Sequence, residues 1–208
     1  MIPVETLATF FIASVLLALA PGPDNIFVMT QSALYGKISG IFVTLGLCTG
    51  LMVHTSAVAF GISVIFQASA VAFTALKATG AAYLLYLAWQ AFRARPADIN
   101  SGHNGRQPFA RIYRRGIIMN VTNPKVSIFF LAFLPQFADP RRGSLTLQLI
   151  MLGGVFITAT ILVFGSIALL AGMIGQRLNR SAGAQRLMNC LAGTVFIALA
   201  LKLASTGR

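Results

Sequence analysis

Pro21-Gly22-Pro23-Asp24-Asn25 interrupts an apolar run that extends over residues 4–30. A run of that length is enough to cross a bilayer as a helix. Proline removes a backbone donor and clashes with the preceding turn, so two prolines and a glycine at Pro21, Gly22 and Pro23 break the helix in mid-membrane. Non-helical backbone at that depth persists only against protein or a water-filled cavity, and a carboxylate placed there marks a functional site by default. Asp24 is the residue that the rest of the sequence has to explain.

The composition supports the membrane reading. The chain has 208 residues, 57% of them hydrophobic and 10% charged, with a mean hydropathy of +0.80, far from the usage of a soluble domain. A net charge of +12 raises nucleic acid as a partner. The basic residues lie instead at the ends of apolar runs, without stacked-aromatic motifs, as the positive-inside bias arranges them. Cys48 and Cys190 lie within apolar runs without metal-ligand or Cys-x-x-Cys spacing, so neither a metal nor a disulfide is expected. Four acidic residues, two histidines and no nucleophile turn leave little material for an enzyme. Transport without a cofactor is the economical expectation.

Six segments are long and apolar enough, or nearly so, to span: residues 4–30, 39–66, 68–92, 117–137, 144–174 and 187–203. A polar, turn-rich stretch at 93–115 separates the first three-helix unit, residues 1–92, from the second, residues 116–208. Its six arginines place it in the cytoplasm. The orientation then sets ten Lys/Arg on the cytoplasmic side against four on the other, with both termini periplasmic. Pro23-Asp24-Asn25-Ile26-Phe27 in the first segment is echoed by Pro124-Lys125-Val126-Ser127-Ile128-Phe129 in the fourth. Three spans is an odd number, so a tandem copy points the opposite way. The expected fold is an all-α polytopic membrane protein of six transmembrane helices in two inverted three-helix repeats, with the first and fourth helices broken and the site between the breaks.

Asp24 has a bland alternative as a helix N-cap, but a carboxylate in that setting can also take up and release a proton. Lys125, just after Pro124, puts a cation at a helix N-terminus, where the dipole disfavours it, and Asp24 is its nearest acidic candidate for a counter-charge. Together they suit a zwitterion, with Asp24 for its ammonium and Lys125 for its carboxylate. Asn25, Asn120 and Asn123 offer amide contacts to such a ligand, or caps and interhelical bonds. His54 is a candidate proton relay or a packing residue. Gly46-x-x-x-Gly50 permits close helix approach, within the chain or across a homodimer. Lys77 near a span end reads as a snorkelling lysine. Tyr83, Tyr86 and Trp89 form an interfacial aromatic belt leading to Arg93.

Ala20-Pro-Gly-Pro-Asp-Asn25, the run Gly40…Leu45-Gly46…Gly50…His54, Lys77…Gly80-Ala-Ala-Tyr-Leu-Leu85 and Asn123-Pro-Lys125…Leu134-Pro-Gln-Phe137 together resemble the LysE/RhtB amino-acid exporter family over nearly the whole chain. The resemblance implies a bacterial inner-membrane carrier that exports small amino acids by proton antiport. Neutral, threonine- or homoserine-like substrates are favoured over basic ones, because Asp24 is the one clearly intramembrane carboxylate and an α-ammonium would occupy it. An exporter of basic amino acids or other small metabolites, or a channel using the same polar breaks, is the alternative.

Overall fold

The computed structural model describes residues 2–68, 70–94, 108–171 and 182–205. Its regular structure is helical, and eight α-helices occur among the described residues. The first apolar run is two helices, α1 (Val4–Leu19) and α2 (Pro23–Tyr35), meeting at 63°. The fourth is α5 (Phe109–Val121) and α6 (Pro124–Ile128), which continues as a π-helical turn (Phe129–Phe133) and a 3-10 turn (Leu134–Phe137). This second break bends the chain by 49°. In both places proline opens the new helix, where its missing N–H costs nothing and its fixed φ suits the first turn.

Between and after the broken elements lie α3 (Lys37–Ala68), α4 (Ala70–Arg93), α7 (Leu145–Ala171) and α8 (Ala182–Ser205). By length and composition, α3 over Lys37–Gly61 and α7 are single spans, and each bent pair adds one if it crosses as a unit. That is up to four spans on this criterion, against six expected, with Asn189–Ser205 of α8 a shorter apolar helix. Among the described residues the regular structure is all helical, which is consistent with a polytopic membrane protein.

One boundary departs from expectation. α5 begins at Phe109, inside the stretch read as loop. Apolar length alone misses this turn because it is amphipathic: Ile112, Gly116 and Asn120 are buried while Arg111, Arg114 and Arg115 face outward. The rest of that basic stretch, residues 95–107, lies outside the described residues, as do Arg177 and Arg180.

α3 packs on α5 and α7, α4 on α8, and α1 on α7. The α3–α5 contact is set by glycine: a Cβ at Gly46 would strike the Tyr113 carbonyl, and one at Gly116 would come within 2.8 Å of the Val43 carbonyl. Backbones at that separation gain dispersion contact that larger residues would forbid. The Gly46 and Gly50 face is therefore used within the chain, and a homodimer would need another surface.

Two apolar clusters fill the interior. One joins Phe10, Leu17, Phe129, Phe130, Phe133 and Phe156. The other joins Phe27, Val28, Val43, Leu47, Ile112 and Phe164. Each broken pair contributes its two arms mainly to different clusters, so the polar breaks sit where the clusters meet. Tyr83, Tyr86 and Trp89 do form a continuous aromatic stripe on α4, with centroids 5.8 and 6.0 Å apart and Arg93 4.8 Å from the Trp89 ring centroid.

Candidate functional site

The two breaks are braced crosswise. At the start of α2, Asp24 is 2% exposed, and its Oδ2 accepts a hydrogen bond of 3.2 Å from Nδ2 of Asn120, near the end of α5. At the start of α6, Lys125 is 7% exposed, and its Nζ donates to the carbonyls of Ala20 at 3.0 Å and Leu17 at 3.3 Å, at the end of α1. Each restarting helix thus reaches the finishing helix of the other pair.

The cap reading of Asp24 fails. Gly22 occupies the cap position of α2 and no side chain caps it. Asp24 stands one residue inside the helix, with Oδ1 buried and making no hydrogen bond. Its charge still faces the positive end of the α2 dipole, which stabilises it without a cap bond. A buried carboxylate oxygen left unbonded costs free energy that most native structures do not leave outstanding.

Asp24 acts on Lys125 electrostatically but not by contact: among the described residues no ion pair joins them, which corrects the expected direct pairing. The ammonium's hydrogen bonds go instead to the negative end of α1, whose last carbonyls have no helical donors of their own. The unfavourable position of a cation at the start of α6 is avoided because the four-carbon stem carries the charge across the break. Gly22 makes room for it, since a Cβ there would stand 3.2 Å from Lys125 Nζ. An ammonium has three donors, and two are used here.

The asparagines divide by role. Asn123 is the cap of α6, its Oδ1 accepting from the Lys125 backbone N–H at 3.0 Å. Asn25 ties α2 back to α1, donating from Nδ2 to the Ala18 carbonyl at 2.7 Å. Asn120 touches the carboxylate and is held by Gly50, whose hydrogen leaves just enough space, since a Cβ would come within 2.7 Å of Asn120 Cβ and Oδ1. His54 Nε2 lies 3.1 Å from the Asn120 carbonyl oxygen, and its ring leans on Phe130 at 5.6 Å. It meets Asp24 only through Asn120.

Unbonded buried polar atoms cluster on these same residues: Asp24 Oδ1, Asn25 Oδ1, Asn120 Oδ1 and Asn123 Nδ2. Gln31 joins them, 8% exposed with Oε1 unbonded. It lies seven residues after Asp24, so two helical turns place it on the same face of α2, about 10 Å along the axis. The i, i+7 spacing of Asp24 and Gln31 is the sequence signal for it. Among the described residues, no group of His, Cys, Asp and Glu has the geometry of a metal site.

A family model described as LysE type translocator matches residues 15–207. A homoserine/homoserine lactone efflux protein of Salmonella typhimurium is 34% identical over 94% of this chain and 94% of its own length. An uncharacterized membrane protein of Vibrio cholerae is 32% identical over 94% of this chain and 95% of its own. A leucine efflux protein of an Enterobacter strain is 25% identical over 95% of this chain and 94% of its own. No solved structure matches the chain. The family match over nearly the full length, joined to a helical fold with two proline-broken helices, makes this chain a member of the LysE type translocator family, a membrane transporter and not an enzyme.

Proposed function

We propose that this protein exports small neutral α-amino acids across the bacterial inner membrane in exchange for protons, with Asp24 as the shared binding group for the substrate ammonium and the proton. The observation that carries the reading is the buried Asp24 carboxylate, held on one oxygen by Asn120 and unbonded on the other. The names of two relatives, a homoserine and a leucine efflux protein, favour a neutral substrate.

In the proposed cycle the substrate ammonium binds Asp24 Oδ1 beside Asn120 Oδ1. Its carboxylate takes the third N–H of Lys125. On release, a proton replaces the ammonium on Asp24, and the neutral carboxyl allows the empty site to return. One carboxylate that cannot hold both partners enforces exchange. A channel, by contrast, has no need of a carboxylate that excludes one ligand when it holds another.

The site works from both sides if the two units, residues 1–92 and 116–208, are inverted repeats of three spans joined by the basic segment 93–115. Exchanging the units maps α3 against α7 and α4 against α8 onto themselves, and turns the α3–α5 contact into the α7–α1 contact. All four pairs pack in the fold. The crossed bracing obeys the same exchange, since Asp24 reaches the end of α5 and Lys125 the end of α1. The arginine-rich segment faces the cytoplasm and both termini the periplasm.

Counterflow in proteoliposomes tests the reading. Vesicles loaded with L-homoserine, L-threonine, L-leucine or L-lysine are mixed with tracer homoserine. Saturable uptake with the neutral amino acids and little with lysine is expected. Flux that rises linearly with concentration would indicate a pore, and exchange with lysine alone a basic-substrate carrier.

A further inference from the structure

A cleft of about 300 Å³ opens where α1 begins and α8 ends, a volume at the lower end of small-molecule sites. Its exposed lining includes Glu5 and Thr9 of α1 and Lys202 of α8, beside the half-buried Gln136. Phe133, Phe137 and Leu203 form its buried lining, and Lys202 Nζ lies 4.4 Å from the Phe137 ring centroid. Glu5 is one of only four acidic residues in the chain. Each charge alone suits its own helix dipole, Glu5 in the first turn of α1 and Lys202 in the last turn of α8. Dipoles do not account for an anion, a cation and an aromatic floor lining one cleft.

The cleft and the central site share α1. α1 runs from Glu5 to Leu17, whose carbonyl holds Lys125; twelve residues span roughly 18 Å. Four phenylalanines pack on one another beside this stretch. Phe10 lies 5.0 Å from Phe137 and 6.0 Å from Phe129, and Phe133 lies 4.8 Å from Phe129 and 5.1 Å from Phe137. Three of these four rings belong to the π and 3-10 turns, irregular helix of the kind found at functional hinges.

We propose that this cleft is a second binding site for an α-amino-acid zwitterion, with Glu5 taking the ammonium and Lys202 the carboxylate, joined to the central site when the Phe10, Phe129, Phe133 and Phe137 rings part. It rests on the export reading, in which it is the release-side station, because the cleft lies where α1 begins and α8 ends, the side which that reading makes periplasmic. Cargo leaving the Asp24 site is then met by a second pair of opposite charges before it reaches bulk water. Two charges and a ring floor match what any neutral amino acid carries, whatever its side chain.

Alkylation of Thr9→Cys tests the site without requiring transport. The full-length protein, also carrying Cys190→Ser, is treated with a charged maleimide at increasing L-homoserine. Saturating homoserine is expected to slow labelling about tenfold, and to do so equally when Asp24→Asn is added. Glu5→Gln and Lys202→Met are each expected to raise the half-protecting concentration at least tenfold. Glu5→Lys with Lys202→Glu restores protection, because an exchanged pair accepts the zwitterion turned round. No protection, protection that survives both single variants, or protection lost with Asp24→Asn would overturn the proposal. Protection without any homoserine transport would retire the export reading and leave this site standing, and transport without protection would do the reverse.

Discussion

Asn120 Nδ2 holds Asp24 Oδ2 at 3.2 Å, so the end of α5 fixes the one carboxylate at the start of α2. The bond couples two helices that are 96 residues apart in sequence and belong to different halves of the chain. Removing it leaves a buried charge without any hydrogen bond, a loss of about 1.5–3 kcal/mol for a bond to a charged group. Asn120→Ala should lower the melting temperature of the purified protein. In a double-mutant cycle, Asp24→Ala with Asn120→Ala should show coupling of roughly 0.5–3 kcal/mol. Asp24→Ala with Lys125→Met should couple less, because no direct contact joins that pair. Equal coupling in both cycles would contradict the crossed bracing.

Gly50 should tolerate no side chain. Its Cβ would overlap Asn120 and push the amide off Asp24, and overpacking of this kind costs about 1–3 kcal/mol. Gly50→Ala is expected to reduce homoserine exchange as Asn120→Ala does. Gly154→Ala is the control, since nothing lies within 4 Å of its Cβ, and relief of glycine's backbone entropy there stabilises by about 0.5–1 kcal/mol. Loss of exchange in the control, or none in Gly50→Ala, would separate Gly50 from the site.

Lys125 should be replaceable for folding and not for transport. Lys125→Met gives up two bonds to the α1 carbonyls but also the cost of burying an ammonium, and the two effects oppose each other. The variant is expected to reach the membrane and lose counterflow. Lys125→Arg should lose it as well, because a planar guanidinium cannot place a compact charge between two carbonyls beside Gly22. Wild-type exchange in either variant would make the lysine a brace alone.

Phe10 packs against Phe129 and Phe137. Phe10→Ala opens a cavity in a fully buried aromatic cluster, with an expected cost of about 3–5 kcal/mol. Phe60→Ala is the comparison, because that ring is 66% exposed on α3. A thermal melt in detergent should separate the two by many degrees, and a similar loss in both would place Phe10 outside the packed core.

The breaks were legible because proline acts locally: Pro23 and Pro124 each begin a new helix whatever surrounds them. Asp24 and Lys125 followed from position alone, a charge in an apolar run. Their partners were not legible. Helices that are apolar nearly all round carry no periodicity that fixes rotation, so nothing in the sequence said that Asn120 faces Asp24 while Asn123 caps α6. Backbone carbonyls are invisible to residue-type reasoning, which is why Lys125 was matched to the only nearby carboxylate and not to the end of α1. The cleft was missed for a related reason, since Glu5 and Lys202 lie at opposite ends of the chain and each reads as an ordinary helix-end charge.

In the proposed cycle Asp24 exchanges a proton for a substrate ammonium. The most direct test is proton movement in proteoliposomes driven by an outward L-homoserine gradient, followed with a trapped pH dye, for wild type and Asp24→Asn. Wild type should move protons against the homoserine flow, and the rate should saturate with substrate. Asp24→Asn keeps the bond geometry to Asn120 but cannot ionise, so proton movement should disappear. Proton movement at an unchanged rate and pH dependence in Asp24→Asn would contradict the account.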